Sequence, residues 1–341
     1  MIKIFRNMRQ NLLGKNKFLQ YVIYATGEIV LVIAGILIAL AINNQSEINK
    51  KDEKISSILT QVRKELAIDI AKTNGLIEFY IQKDSLISLV LSNQLTEEDY
   101  RNRQNSALFQ VTTTVSEFIT VSNGYDNLMR NTDNMPARFE PLMEDLNSIY
   151  IDDKLLVERF NQNISAVTDK ILADWSSKFE WYSKIITGTI EDSMIDYFVN
   201  DPFYKNHVSS YYIIAMQNHL PTIKSYRVDA IRSYLAIGDL LGLDNSPTEE
   251  TENFIVPKEQ LEKLIGTYNI SSSFSVKVTV EDGQLRAQAT GQAEIILHPL
   301  TEKRFFAINT PFTIQFHENE AGEITGLTNY QNGRALAMTK Q

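Results

Sequence analysis

The chain has 341 residues, enough for two or three domains. Its net charge is −9, yet residues 1–27 hold five cations (Lys3, Arg6, Arg9, Lys15 and Lys17) and no acid, which leaves −14 on the remainder. An acidic body is unsuited to nucleic acid, which needs a clustered basic surface to displace counterions; the lack of cysteine excludes disulfides, thiolate metal sites and a cysteine nucleophile.

Behind the basic tail (residues 1–17), residues 18–42 read FLQYVIYATGEIVLVIAGILIALAI, with Glu28 the one ionisable group. As a helix this stretch rises about 37 Å, enough for a hydrocarbon core of roughly 30 Å with some tilt. Tyr21 and Tyr24 suit the headgroup boundary, and no cation follows until Lys50. The charge asymmetry therefore predicts a transmembrane helix with its N-terminus in the cytoplasm. In a Gram-negative cell this anchors the protein in the inner membrane, with its body in the periplasm. Ala39-Leu40-Ala41 also fits the A-x-A pattern of a cleaved signal peptide, but the apolar stretch is longer than a signal's and holds a carboxyl.

Glu28 is unusual, because a carboxyl in the bilayer costs a few kcal/mol unless protonated or partnered. One reading is an interhelical contact, with the same helix of a homo-oligomer or with a second membrane protein. Gly35 and Ala39, four apart, form a small-xxx-small face for such an approach. The other reading starts the span near Ala25, so that Glu28 lies one turn deep and reaches water.

Residues 43–243 read as helical. No proline precedes Pro136, so nothing interrupts a helix leaving the span. Ile55, Leu59, Val62, Leu66, Ile70, Ile77, Tyr80, Ile87 and Leu91 recur at three- and four-residue steps. Thr73 and Asp84 on that stripe favour the core face of a bundle over a coiled-coil seam. Residues 107–121 are rich in β-branched residues and could be strand, but their context suggests a helix; further helices are expected over part of 123–134, 138–151, 153–199 and 205–242, with a break at Pro202 and a kink at Pro221. The sum is an antiparallel bundle of four or five helices with an aromatic core.

Residues 244–256 have a linker's polar, proline-bearing composition. From Pro257 a short helical start, PKEQLEKLIGTY, leads into period-2 runs at 274–280, 284–290, 294–298, 304–308, 312–317, 324–330 and 334–338, with an Asp282-Gly283 hairpin turn. Seven antiparallel strands over residues 257–341 suggest a small barrel or curved sheet, and the chain as a whole an α+β membrane-anchored fold.

Two resemblances attach to these segments. LEKLIGTY, VEDGQLRAQATGQ, LHPLTEKRFF and ENEAGEITGLTNYQNGR resemble the accessory β domain that follows class C β-lactamase-like serine hydrolase domains. That resemblance implies a domain with no catalytic residue of its own, and here a helical body stands where the hydrolase would. The opening 44 residues, with the Gly27-Glu28 pair, resemble a family of single-span envelope proteins of unknown function from Bacteroidetes-type bacteria, which implies topology and nothing chemical.

No nucleophile elbow, S-x-x-K, H-E-x-x-H, P-loop or G-x-G-x-x-G occurs, and nothing calls for a cofactor or metal. His207 and His219 are twelve apart and share no helical turn; His298 and His317 could meet across strands. The sequence thus favours a non-enzymatic anchored module that binds a partner or ligand. An envelope hydrolase with a site between bundle and β domain, or a structural spacer, are the alternatives.

Overall fold

The computed structural model describes residues 17–248, 251–271 and 273–341, so the calls on residues 1–16 lie outside the described residues. Helix α1 runs unbroken from Lys17 to Leu91, about 110 Å at 1.5 Å per residue. Its first half is long and apolar enough to cross a membrane. From Tyr21 to Lys51 nearly every side chain is exposed; burial starts at Ile55 and follows the stripe of apolar residues, of which Leu91 alone is exposed.

Ten helices are described in all. After α1 come α2 (Glu97–Arg101), α3 (Asn123–Met129), α4 (Leu142–Asn147), α5 (Lys154–Lys178), α6 (Tyr182–Ile185), α7 (Asp192–Asn200), α8 (Pro202–Ile214), α9 (Leu220–Leu241) and α10 (Lys258–Lys263). Two π-turns, Ser148–Asp153 and Ala215–His219, splice α4 to α5 and α8 to α9. The second ends two residues before Pro221, which supplies no amide hydrogen to the helix ladder. Three long rods thus run through the body, α1, α4–α5 and α8–α9, with α2, α3, α6 and α7 as shorter helices. Rod α8–α9 is antiparallel to α1: Arg63, Ile70 and Tyr80 meet Tyr234, Arg227 and His219 in turn.

Three expected helices differ. Residues 107–121 do not form one: a 3-10 turn ends at Gln110, and 114–122 have no regular secondary structure. Their β-branched side chains disfavour helix, and body side chains replace the ladder a strand would need. Lys83 Nζ donates to the Gln110 and Val111 carbonyls (2.6 and 2.9 Å), Thr168 to Thr112 and Tyr211 to Thr114. The Asn161 amide bonds both N–H and C=O of Phe118 (3.2 and 2.7 Å), and Asp69 accepts the Val121 N–H at 2.9 Å. The helix expected over 153–199 breaks into α5, α6 and α7, because Phe179 leaves helical geometry to stack on Trp181 at 4.8 Å. The third, over 138–151, starts as a 3-10 turn and relaxes into α4 only at Leu142.

The C-terminal domain is a closed antiparallel barrel of eight strands in sequence order: β1 (Gly266–Ser271), β2 (Phe274–Glu281), β3 (Gln284–Ala289), β4 (Ile295–Thr301), β5 (Arg304–Phe306), β6 (Thr313–Glu318), β7 (Ile324–Gln331) and β8 (Arg334–Lys340). The strand beyond the expected seven is β1, within a segment that reads as the helical start; the helix stops at Lys263 and Gly266 opens the strand. β1 pairs with β8 and removes both sheet edges. Asp282-Gly283 makes the expected hairpin turn, both residues at positive φ, and Asn332-Gly333 makes a second. Much of the expected linker is packed: Arg63 holds Asn245, and Phe254 is buried edge-on to Tyr234 at 5.3 Å.

Candidate functional site

Barrel strands alternate, so one set of side chains faces the lumen. At one end that set is sealed: Leu261 and Leu264 from α10 are buried in the barrel core, and the Tyr268 hydroxyl donates to the Leu264 carbonyl at 2.6 Å. The other end is open, with a cavity of about 240 Å³. Ala287 and Ala289, paired with Val278 and Val276, are too short to fill it. Met338 and Leu327 form its deeper wall, and Phe274, Phe312 and the exposed Leu336 rim it. The polar residues of the lining are Gln292, Thr310, Asn329 and Gln331; Asn329 Oδ1 and Thr310 Oγ1 themselves are buried and have no hydrogen-bond partner in the protein. A concave, largely apolar space with a few convergent polar atoms is the usual form of a small-molecule site, and barrel mouths are a usual place for one.

The helical body holds the mouth in shape. Lys224, fully buried on α9, donates to the carbonyls of Ala307 (3.3 Å) and Thr310 (2.8 Å), in the segment that rims the cavity. Burial lowers its pKa to about 7, against the opposing pull of Asp84. Asp84 on α1 accepts the Gly333 N–H at 2.7 Å, and burial raises its pKa. Ser88 donates to the Asn332 carbonyl (2.6 Å) and Tyr212 to its side chain (3.2 Å). Gly333 is required twice here: its φ is +67°, and a Cβ would sit 2.2 Å from that of Ser88.

Beside this clamp, fully buried Arg227 donates to the carbonyls of Ile70, Asn253 and Pro299 (3.0, 2.9 and 3.1 Å). Burial depresses even this guanidinium, to about 9. Arg304 forks onto Glu78 at 2.7 and 2.8 Å. Leu300 and Phe306 of the barrel belong to the body's core, and a gap of about 10 Å³ remains beside Asp84. Sequence reasoning missed these residues. Their signal was two cations three apart, Lys224 and Arg227, on the apolar face of a helix.

Other polar constellations are committed elsewhere. Asp174, His207 and Tyr197 form a relay of hydrogen bonds (3.2 and 3.1 Å). The Tyr197 hydroxyl also accepts from Trp175 Nε1 at 2.7 Å, and burial holds its pKa up at about 12, so it satisfies a buried indole and is no activated nucleophile. His219 faces the Tyr80 hydroxyl at 2.5 Å, and burial lowers its pKa to about 4. His298 and His317 do not meet: the first lies by Phe306, the second bonds Thr328 at 2.8 Å. A hollow of about 260 Å³ at the far end of the body is lined by Lys205 and Asn93, which already bond each other. Among the described residues no three His, Asp or Glu side chains gather as a metal would require.

Glu28, Gly35 and Ala39 lie seven and four residues apart, hence on one stripe of α1, and all three are exposed. A Cβ built on Gly35 meets nothing within 4 Å. The chain itself contributes no contact to this stripe's glycine, and the site it does assemble is the barrel mouth.

A family model for a domain of unknown function (DUF3471) matches residues 251–340, the barrel with the segment leading into it. It fits the accessory β domain expected at this position, and it leaves the helical body unmatched. No curated protein matches the chain.

Proposed function

We propose that the chain is a non-enzymatic, membrane-anchored binding module whose ligand enters the open mouth of the C-terminal barrel. The observation that carries this reading is the open cavity of about 240 Å³ in the barrel mouth, lined by uncharged side chains. The apolar first half of α1 is the anchor. Positive-inside charge puts the N-terminus in the cytoplasm and the body and barrel in the periplasm, bound through the inner membrane. The resemblance of the opening residues to single-span envelope proteins supports the same topology. Glu28, Gly35 and Ala39 then face a second copy of the helix or another membrane protein.

The hydrolase alternative needs a site between body and barrel. Beside Asp84 the seam is filled by Lys224, Arg227 and the carbonyls they bind, with about 10 Å³ left; a shallow cavity of about 340 Å³ further along is lined by Glu252, Asn253, Thr301, Glu302, Lys303 and Gln315, with no serine–histidine pair. The spacer alternative differs in predicting no saturable binding. Native mass spectrometry of the full chain, released from lipid nanodiscs, tests the reading: a small-molecule adduct is expected on the wild type and not on Ala289→Phe, which fills the mouth. The same adduct on both would remove the mouth from consideration. Protease added to spheroplasts is expected to digest everything beyond residue 43; a protected C-terminal half would reverse the topology.

A further inference from the structure

Helix α1 keeps one face bare from its apolar half well into the helical body. In the apolar half that face carries Glu28, Val32, Gly35 and Ala39. A helix points the same way again after about 36 residues, ten turns at 3.6 residues per turn. Counting 36 on from those four gives Lys64, Ile68, Ala71 and Gly75, and all four are exposed although the body packs around them.

The body takes the other side of the helix, where Leu59, Val62, Leu66, Ile70 and Ile77 are buried in its core. On one flank of the bare face Lys72 Nζ donates to the Ile119 carbonyl at 3.1 Å. On the other flank Glu78 takes the fork of Arg304 from the barrel. Between these flanks the surface is apolar and low. Ile68 is 51% exposed, and Ile119, held one turn beyond it, is 70% exposed. A Cβ built on Gly75 meets nothing within 4 Å, as at Gly35. A lone exposed isoleucine needs no explanation, but here two adjoin small residues that let another backbone come close. Lys64 is the one charged member of the four, and its long stem carries the ammonium out to water.

What covers this face follows from the anchor. Chains held by their spans meet in the plane of the membrane, parallel and at the same height. Ile68 lies 25 residues beyond Asn43, about 38 Å along the helix, and so does its counterpart in a neighbouring copy. A two-fold pair sets each patch against itself, which matches an apolar strip at a fixed height. Once the spans touch, the outer contact is intramolecular, and the tether lets a small patch suffice.

We propose that two copies of this chain lie side by side as a parallel pair, joined in the membrane at Glu28, Gly35 and Ala39 and, ten turns on, outside it at Ile68, Ala71 and Gly75. This rests on the apolar half of α1 being the anchor and its stripe a helix contact, as proposed above.

The test is disulfide crosslinking of the full chain in membranes, with every cysteine introduced, since the sequence has none. Ile68→Cys and Ala71→Cys are expected to give a dimer as readily as Val32→Cys, and Lys170→Cys, also exposed but on α5, to give little. Adding Ile68→Lys to Ala71→Cys sets like charges against each other and is expected to cut the dimer about tenfold. A dimer from Val32→Cys with none from Ile68→Cys or Ala71→Cys would overturn the outer contact and leave the span stripe as an interface. No dimer from any of the three would overturn both. Equal yields from Ile68→Cys and Lys170→Cys would mark chance collision, and an adduct of unequal halves a different partner; either would overturn the pair.

Discussion

Lys224 Nζ lies 2.8 Å from the carbonyl oxygen of Thr310, so a side chain of the helical body fixes the segment that rims the barrel's open end. Lys224→Met keeps the apolar stem and removes the donor. It frees two carbonyls and leaves Asp84 without its nearby cation. Amide exchange is expected to accelerate across 307–312, while the β2–β3 hairpin, paired only within the barrel, keeps its protection. Uniform acceleration through all eight strands would mean that the barrel depends on the body for folding and not only for the shape of its mouth.

Arg227 carries the larger share of the seam. It is fully buried and serves three carbonyls, on α1, on the segment entering the barrel and on β4. Its removal takes a donor from the buried carbonyls of Asn253 and Pro299, a cost of about 2–5 kcal/mol in sum at about 1–3 per group, while the Ile70 carbonyl keeps the Thr73 hydroxyl. Arg227→Leu is expected to lower unfolding stability in urea by that amount. A loss below about 1 kcal/mol would mean that solvent reaches those carbonyls.

The irregular segment 114–122 is held from the side. Asn161 bonds both the N–H and the C=O of Phe118, doing for one residue what a neighbouring strand does for many. Asn161→Leu fits the space and orphans both groups, with an expected cost of about 2–4 kcal/mol. Exchange of the Phe118 amide should then rise far above that of the Val121 amide, which Asp69 still accepts. Equal protection at both positions would count against this account.

The apolar stripe from Ile55 to Ile87 was readable because its spacing is a local property of one helix, and the Asp-Gly turn because both residues take positive φ. What was not readable depends on partners distant in sequence. Residues 107–121 look helical or strand-like by composition, and only Lys83, Asn161, Thr168 and Tyr211 make an irregular path affordable. β1 hid behind a helix start because its strand character comes from pairing with β2 and β8. The barrel mouth was partly legible: alternation identifies inward residues, but which end α10 seals is decided by Leu261 and Leu264 docking across the barrel.

The Asp153 carboxyl lies against that of Asp229, whose other partner is Arg232 at 2.6 Å. Burial first, then the charge of Asp229, pushes the Asp153 pKa up to about 7. The folded state thus holds a proton that the unfolded chain releases near 3.8, and stability falls as pH rises from about 4 through 7. Asp153→Asn replaces the protonated form with a neutral isostere. Its melting temperature should match the wild type only below about pH 4 and exceed it by a growing margin from pH 4 to pH 7, with no further gain above that. A difference below pH 4 as large as at pH 8 would locate the effect in packing.

Glu28, Gly35 and Ala39 share a stripe of α1 that spans about 16 Å of rise, and the lack of native cysteine makes that stripe easy to probe. Val32 lies four residues after Glu28, on the same stripe, whereas Leu37, two after Gly35, faces the other way. If the stripe meets a second copy of the helix, oxidation in membranes should give a dimer from Val32→Cys and little from Leu37→Cys; a heavier mixed adduct would indicate a different membrane protein. Adding Glu28→Leu should lower the yield several-fold, because an interhelical hydrogen bond in lipid contributes about 1 kcal/mol, whereas Glu28→Gln, which still donates and accepts, should retain most of it. Equal crosslinking from both cysteines, indifferent to Glu28, would leave the carboxyl as a group near the headgroups that reaches water and contacts no helix.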